Sequence, residues 1–77
     1  MFYKSQVEVS KAINELIDTY WDNQIDEDEL FENIKKMLKY NETKIIKDND
    51  FTTVLKQKCG KRRLEVVSKI LELIRNK

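Results

Sequence analysis

Residues 56–65 read KQKCGKRRLE, five basic side chains around the only glycine and the only cysteine of a 77-residue chain. The reading of this stretch decides the architecture, since it is the turn of a base-reading helix-turn-helix, an anion site, or the solvated joint between two helices. Upstream of it, Phe51, Val54, Leu55 and Cys59 share one side of a helix that Asp50 is placed to cap. Gly60 is placed to end that helix in a left-handed conformation. Downstream, Leu64, Val66, Val67, Ile70, Leu71, Leu73 and Ile74 cover about half of a helical wheel, with Leu71 near the middle of the arc. A one-sided surface helix needs a stripe of only about 100°. The last helix is therefore expected either to be flanked by two others or to offer part of its face, through Val66, Ile70 and Leu73, to a second copy of the chain.

The first half of the sequence carries clear helix starts. Ser5 and Glu8 have capping-box spacing: the serine oxygen accepts from the Glu8 amide, and the Glu8 carboxylate is expected to reach back to Ser5. Val9, Ala12, Ile13, Leu16, Ile17, Tyr20 and Trp21 then follow the 3.6-residue period. In IDEDEL, residues 25–30, Asp26 caps, Glu29 completes the box, and Ile25 and Leu30 occupy the two positions of a hydrophobic staple. Four acids at this start suit the positive end of the helix dipole, and Lys35, Lys36 and Lys39 suit the negative end. The segment NETKIIKDND, residues 41–50, lacks periodicity and reads as a connection with one short turn at 43–47.

The expected fold is a single all-α domain over residues 1–77, a small bundle of three long helices and one short one, at about 6–22, 27–40, 51–59 and 61–75. A composition of 38% charged and 40% hydrophobic residues, with no proline and one glycine, suits amphipathic helices and leaves few residues to shape tight hairpins. A chain this short buries roughly 60% of the surface its unfolded form exposes. The lone Cys59 cannot form an internal disulfide, and no apolar stretch has the length of a membrane span, so a cytoplasmic setting without membrane contact is expected. Net charge is only +1, yet residues 1–34 hold two Lys against nine Asp/Glu, net −7, and residues 35–77 hold thirteen Lys/Arg against five Asp/Glu, net +8.

The residue types exclude most catalysis. There is no histidine and no glycine-rich phosphate loop, so the commonest general base and the common nucleotide cradles are missing. Cys59 falls on an apolar face, the position of a packed and inert thiol. A calcium loop counted from Asp22 puts Glu27 where the glycine belongs and Asn33 where a bidentate glutamate belongs. No catalytic residue, metal ligand or cofactor is expected. Phe2, Tyr3, Tyr20 and Trp21 read as core or core-edge aromatics, because the acidic first half is a poor platform for stacked bases. A helix-turn-helix is disfavoured because the outer face of the last helix alternates Arg62, Glu65, Lys69 and Glu72.

Lys61, Arg62 and Arg63 stand at a helix N-terminus, the wrong end of the dipole for positive charge. An anion there relieves the mismatch. It can come from the chain's own acidic half, from an acidic protein partner or from nucleic acid. The expected function is thus a non-enzymatic accessory protein whose Lys56, Lys58, Lys61, Arg62 and Arg63 contact phosphates of nucleic acid or a nucleoprotein without reading bases. The alternative is a protein-binding inhibitor or adaptor, homodimeric through the last helix.

Through FTTVLKQKCGKRRLEVVSKIL, residues 51–71, and FYKSQVEVSKAINELIDTYWDNQID, residues 2–26, the chain resembles a family of short, uncharacterised proteins from low-GC Gram-positive bacteria and their mobile elements. The resemblance spans nearly the whole chain and implies a small bacterial or phage accessory protein. It brings no catalytic residues with it.

Overall fold

The computed structural model describes residues 3–75, with only the backbone of Arg75; Phe2 lies outside the described residues. The elements are α1 (Gln6–Trp21), α2 (Glu27–Ile45), β1 (Ile46–Lys47), β2 (Asp50–Phe51) and α3 (Thr53–Arg75). Three helices and a two-stranded antiparallel ribbon thus replace the expected four helices. Two of the differences arise where the chain bends without leaving its helix.

One is Gly60. The segments expected at 51–59 and 61–75 form a single kinked α3, in which Gly60 alone departs from helical dihedrals at φ 79°, ψ 169°. That is not the left-handed helical conformation of a C-cap but an extended positive-φ region that essentially only glycine enters. The other is Asn41. Instead of ending near residue 40, α2 runs on to Ile45 across a break at Asn41 (φ −134°, ψ 28°). The Asn41 side chain is buried and bridges two backbones: its Nδ2 donates to Met37 O at 3.1 Å, and its Oδ1 accepts from Tyr3 N at 3.0 Å. A polar group of this size is tolerated in a core because both of its functions are hydrogen-bonded.

The segment expected as an irregular connection is a tight hairpin. Ile46 pairs with Phe51 and Lys47 with Asp50, leaving Asp48 and Asn49 as a two-residue loop. Both loop residues have positive φ, 55° and 66°, the signature of a type I′ turn. Asp and Asn enter this region more readily than other side chains, so no glycine is required. The hairpin also displaces the expected cap. Asp50 lies in β2 and pairs with Lys56 at 2.5 Å, while the first helical bond of α3 runs from Lys56 N to Thr52 O at 3.0 Å. The buried Thr52 hydroxyl turns away to donate to Lys44 O at 3.0 Å, fastening the start of α3 to the end of α2.

The helix starts in the first half follow local chemistry. Ser5 Oγ accepts from Glu8 N at 3.2 Å, and Asp26 Oδ1 accepts from Glu29 N at 2.9 Å. The Glu8 carboxylate reaches one residue further back than expected, to the Lys4 amide at 2.9 Å. At its other end α1 closes in a Schellman motif: Gln24 N donates to Thr19 O and Asn23 N to Tyr20 O, with Asn23 at φ 61° in place of the usual glycine.

The core is formed by Val9, Ile13 and Ile17 of α1, Leu30, Ile34, Met37 and Ile45 of α2, and Leu55, Cys59, Val67 and Ile70 of α3. Ser10, fully buried with its hydroxyl donating to Gln6 O, lets α1 approach α3 closely enough for its carbonyl to meet Cys59 Sγ at 3.7 Å. The wide apolar arc at the end of α3 is divided among several neighbours. Val67 and Ile70 enter the core, Leu71 is only half-buried beside Ile46 and Phe51 of the hairpin, and Leu73 stays on the surface. Among the described residues no helix is long and apolar enough to cross a membrane.

Candidate functional site

Two surfaces carry the residues singled out by their sequence: the basic joint around Gly60 and a groove beside the second half of α3. At the joint, a non-helical residue inside a helix leaves carbonyls on its N-terminal side without amides in register. Two carbonyls just before the break accept from side chains. Asn14 of α1 donates from Nδ2 to Lys58 O at 3.0 Å, and Arg63 donates from Nη1 to Cys59 O at 3.4 Å. The arrangement leaves Asn14 Oδ1 buried without a hydrogen-bond partner among the described residues.

Arg63 does more than cap. Its Nε and Nη2 both reach Asp18 Oδ1, at 3.1 and 2.8 Å, and its guanidinium carbon lies 5.7 Å from the centre of the Trp21 ring. The anion that relieves the charge at this helix segment is therefore in part the chain's own: Asp18, from the acidic half. Lys56 is likewise committed, to Asp50, whose carboxyl is held below the usual aspartate range by that lysine first and by the Phe51 amide second. Of the five residues expected at an anion site, Lys58, Lys61 and Arg62 remain exposed and without an ion pair among the described residues. They flank the kink along the chain, with Lys61 lining a hollow beside Phe51 and Leu64 and Arg62 one beside Trp21 and Val66, whereas Lys56 and Arg63 are turned to neighbours within the fold.

Cys59 is buried, and its thiol is pushed up by desolvation; the nearby Arg63 charge and the contact with Ser10 act in the opposite direction. A thiol held protonated against a helix backbone is a poor nucleophile. Among the described residues, no three of His, Cys, Asp and Glu gather into a metal-binding group.

The groove, about 530 Å³, runs between the end of α1, the first turns of α2 and the second half of α3. Its apolar lining brings together Val66, Ile70 and Leu73, the three residues expected to self-associate, and adds Trp21, Leu30 and Phe31. The three are not equivalent: Ile70 is only 7% exposed and forms floor, while Leu73 is 59% exposed and forms rim. Trp21, expected in the core or at its edge, is 45% exposed at the end of the groove. Glu27 and Asp28 stand on the α2 side and Lys69 on the α3 side. A second, shallower hollow lined by Arg62 and Glu65 continues past Trp21, Val66 and Lys69. Glu27 also accepts a hydrogen bond from Tyr20 Oη at 3.3 Å, tying the end of α1 to the start of α2.

Phe31 was the groove residue least visible in the sequence: it reads as one more apolar position of the second helix, and only the packing of α1, α2 and α3 places it in the groove with Trp21.

A family model covers residues 1–72, and its description reads conserved hypothetical protein. The chain belongs to this family. The resemblance to a family of short proteins without assigned activity therefore holds over almost the whole chain. No curated protein and no solved structure matches it.

Proposed function

We propose that this chain is a non-enzymatic binding protein whose working surface is the groove between α1, α2 and α3, in the manner of a protein-binding inhibitor or adaptor. What supports the reading is the placement of Trp21 and Leu73, two large apolar side chains 45% and 59% exposed, at the rim of one continuous apolar hollow. Exposed apolar surface gathered in a concave patch marks an interaction site, and tryptophan is among the residues that dominate binding energy at such sites. A cytoplasmic accessory role, in the mobile-element or phage setting that the resemblance implies, belongs to the same proposal. The test is to pan a random peptide library against the full chain, with Trp21 emission as a local reporter of the groove. Enriched peptides are expected to shift that emission to the blue and to bind Leu73→Asp at least about tenfold more weakly, a loss of about 1.4 kcal/mol. Peptides that bind the variant as tightly as wild type would place binding elsewhere.

A second reading, phosphate contact at the basic joint, is favoured by the three exposed cations Lys58, Lys61 and Arg62. With Lys56 and Arg63 already paired within the chain, the residues flanking Gly60 offer three phosphate contacts and not five. In mobility-shift titrations, replacing the three by Gln should lower the slope of log affinity against log salt by about 2 to 3, at 0.7–0.9 for each contact. The loss should be equal across sequences, since phosphates carry none. Wild-type protein that shifts neither DNA nor RNA at low salt would eliminate this reading.

A further inference from the structure

We propose that the occupant of the groove is a second copy of this chain, in a two-fold dimer whose axis runs along the groove. The inference rests on the reading of the groove as a protein-contact face and names its partner. The argument is the sign of its two walls. Glu27 and Asp28 make the α2 wall acidic, whereas the α3 wall carries Lys69 and, in the adjoining hollow, Arg62 against the single Glu65. Rotation by a half-turn about an axis lying along the groove exchanges the walls, so that the acidic wall of each copy faces the basic wall of the other. The same contact is made twice, as an isologous interface requires. A half-turn about an axis across the groove would instead set acid against acid, and that arrangement is rejected by like-charge repulsion.

The apolar strip between the walls contributes the burial. Leu73 and Trp21 lie at its rim and Phe31 and Val66 along it, a charge-poor centre within a charged margin, which is the usual anatomy of a specific interface. A foreign helix would need a basic edge and an acidic edge in the reciprocal order to fit as well; the chain itself already has both. A 77-residue domain also leaves a larger share of its surface exposed than a larger one does, so covering a second apolar strip adds proportionally more to its stability.

The experiment is analytical ultracentrifugation of the full chain with charge-exchanged variants. Wild type is expected to dimerise reversibly at micromolar concentration. Lys69→Glu, which makes both walls acidic, and the double change Glu27→Lys with Asp28→Lys, which makes both basic, should each weaken the dimer at least about tenfold. Mixed in equal amounts, the two variants should associate with each other, because every acidic wall then meets a basic one. Since lysines at the start of α2 oppose its dipole and can unfold the double variant, Leu73→Asp serves as a further arm. It changes an exposed side chain, should keep the native circular dichroism, and should abolish the dimer. A wild-type chain that stays monomeric at millimolar concentration overturns the proposal, as does a dimer that Leu73→Asp or the charge exchange leaves unchanged. If panned peptides still bind the groove of a monomeric chain, the second copy falls and the protein-binding reading stands. If neither peptide nor dimer depends on Leu73, both fall.

Discussion

Replacing Leu55 by Ala is expected to cost about 2–5 kcal/mol, the range for large-to-small changes in a closed core. Leu55 is 0% exposed, on the first half of α3 among the core residues of all three helices. Domains of this size have total stabilities of roughly 4–12 kcal/mol at 0.05–0.15 kcal/mol per residue, so the single change removes a large share. Thermal unfolding followed at 222 nm should move down by at least about 10 °C. Leu71→Ala is the internal comparison. Leu71 stands near the middle of the apolar arc, yet it is only half-buried beside the hairpin, and its truncation should cost about 1 kcal/mol. A larger loss for Leu71→Ala than for Leu55→Ala would mean that α3 is rotated to turn Leu71, and not Leu55, into the core.

Gly60→Ala is expected to cost about 1–3 kcal/mol through the backbone alone. A Cβ at this position would meet no atom within 4 Å, so crowding is not the cause; the dihedrals φ 79°, ψ 169° are. The variant can escape the strain only by straightening α3, and that would pull Arg63 from Asp18 and from the Cys59 carbonyl, and Asn14 from the Lys58 carbonyl. Either route lowers stability in urea denaturation. A variant as stable as wild type, with an unchanged spectrum, would show that residue 60 does not hold this conformation.

The helix starts were legible because each depends on atoms within four residues of one another. Ser5 and Glu8, and Asp26 and Glu29, form their caps wherever the rest of the chain lies. The two interruptions had local signals as well, a glycine at 60 and an asparagine at 41. What those signals lacked was the continuation. A residue that interrupts a helix does not state whether the next segment turns away as a loop or resumes as helix beyond a kink, and here distant partners hold both breaks. Tyr3 binds Asn41 across 38 residues, and Asn14 reaches the Lys58 carbonyl across 44.

The hairpin was missed for a different reason. Its loop is Asp48-Asn49, a pair without glycine, and its strands are two residues each, too short for any alternation of apolar and polar side chains to register. It forms where Ile46 and Phe51 pair across the ribbon and pack against the core, and where Thr52 is held by the Lys44 carbonyl.

The candidate surfaces divide in the same way. The sequence by itself determined the helical class, the caps, the separation of an acidic from a basic half, and the clustering of cations around one glycine, because composition and spacing along the chain carry all of these. Only the tertiary structure decided that Arg63 answers Asp18 across 45 residues while Lys58, Lys61 and Arg62 remain exposed, and that Leu73 stands out beside Trp21 while Ile70 sinks between helices. Periodicity tells which side chains share a face of one helix. Whether that face is covered depends on the angles and distances at which the other helices cross it, and these are set by contacts between residues far apart in the chain.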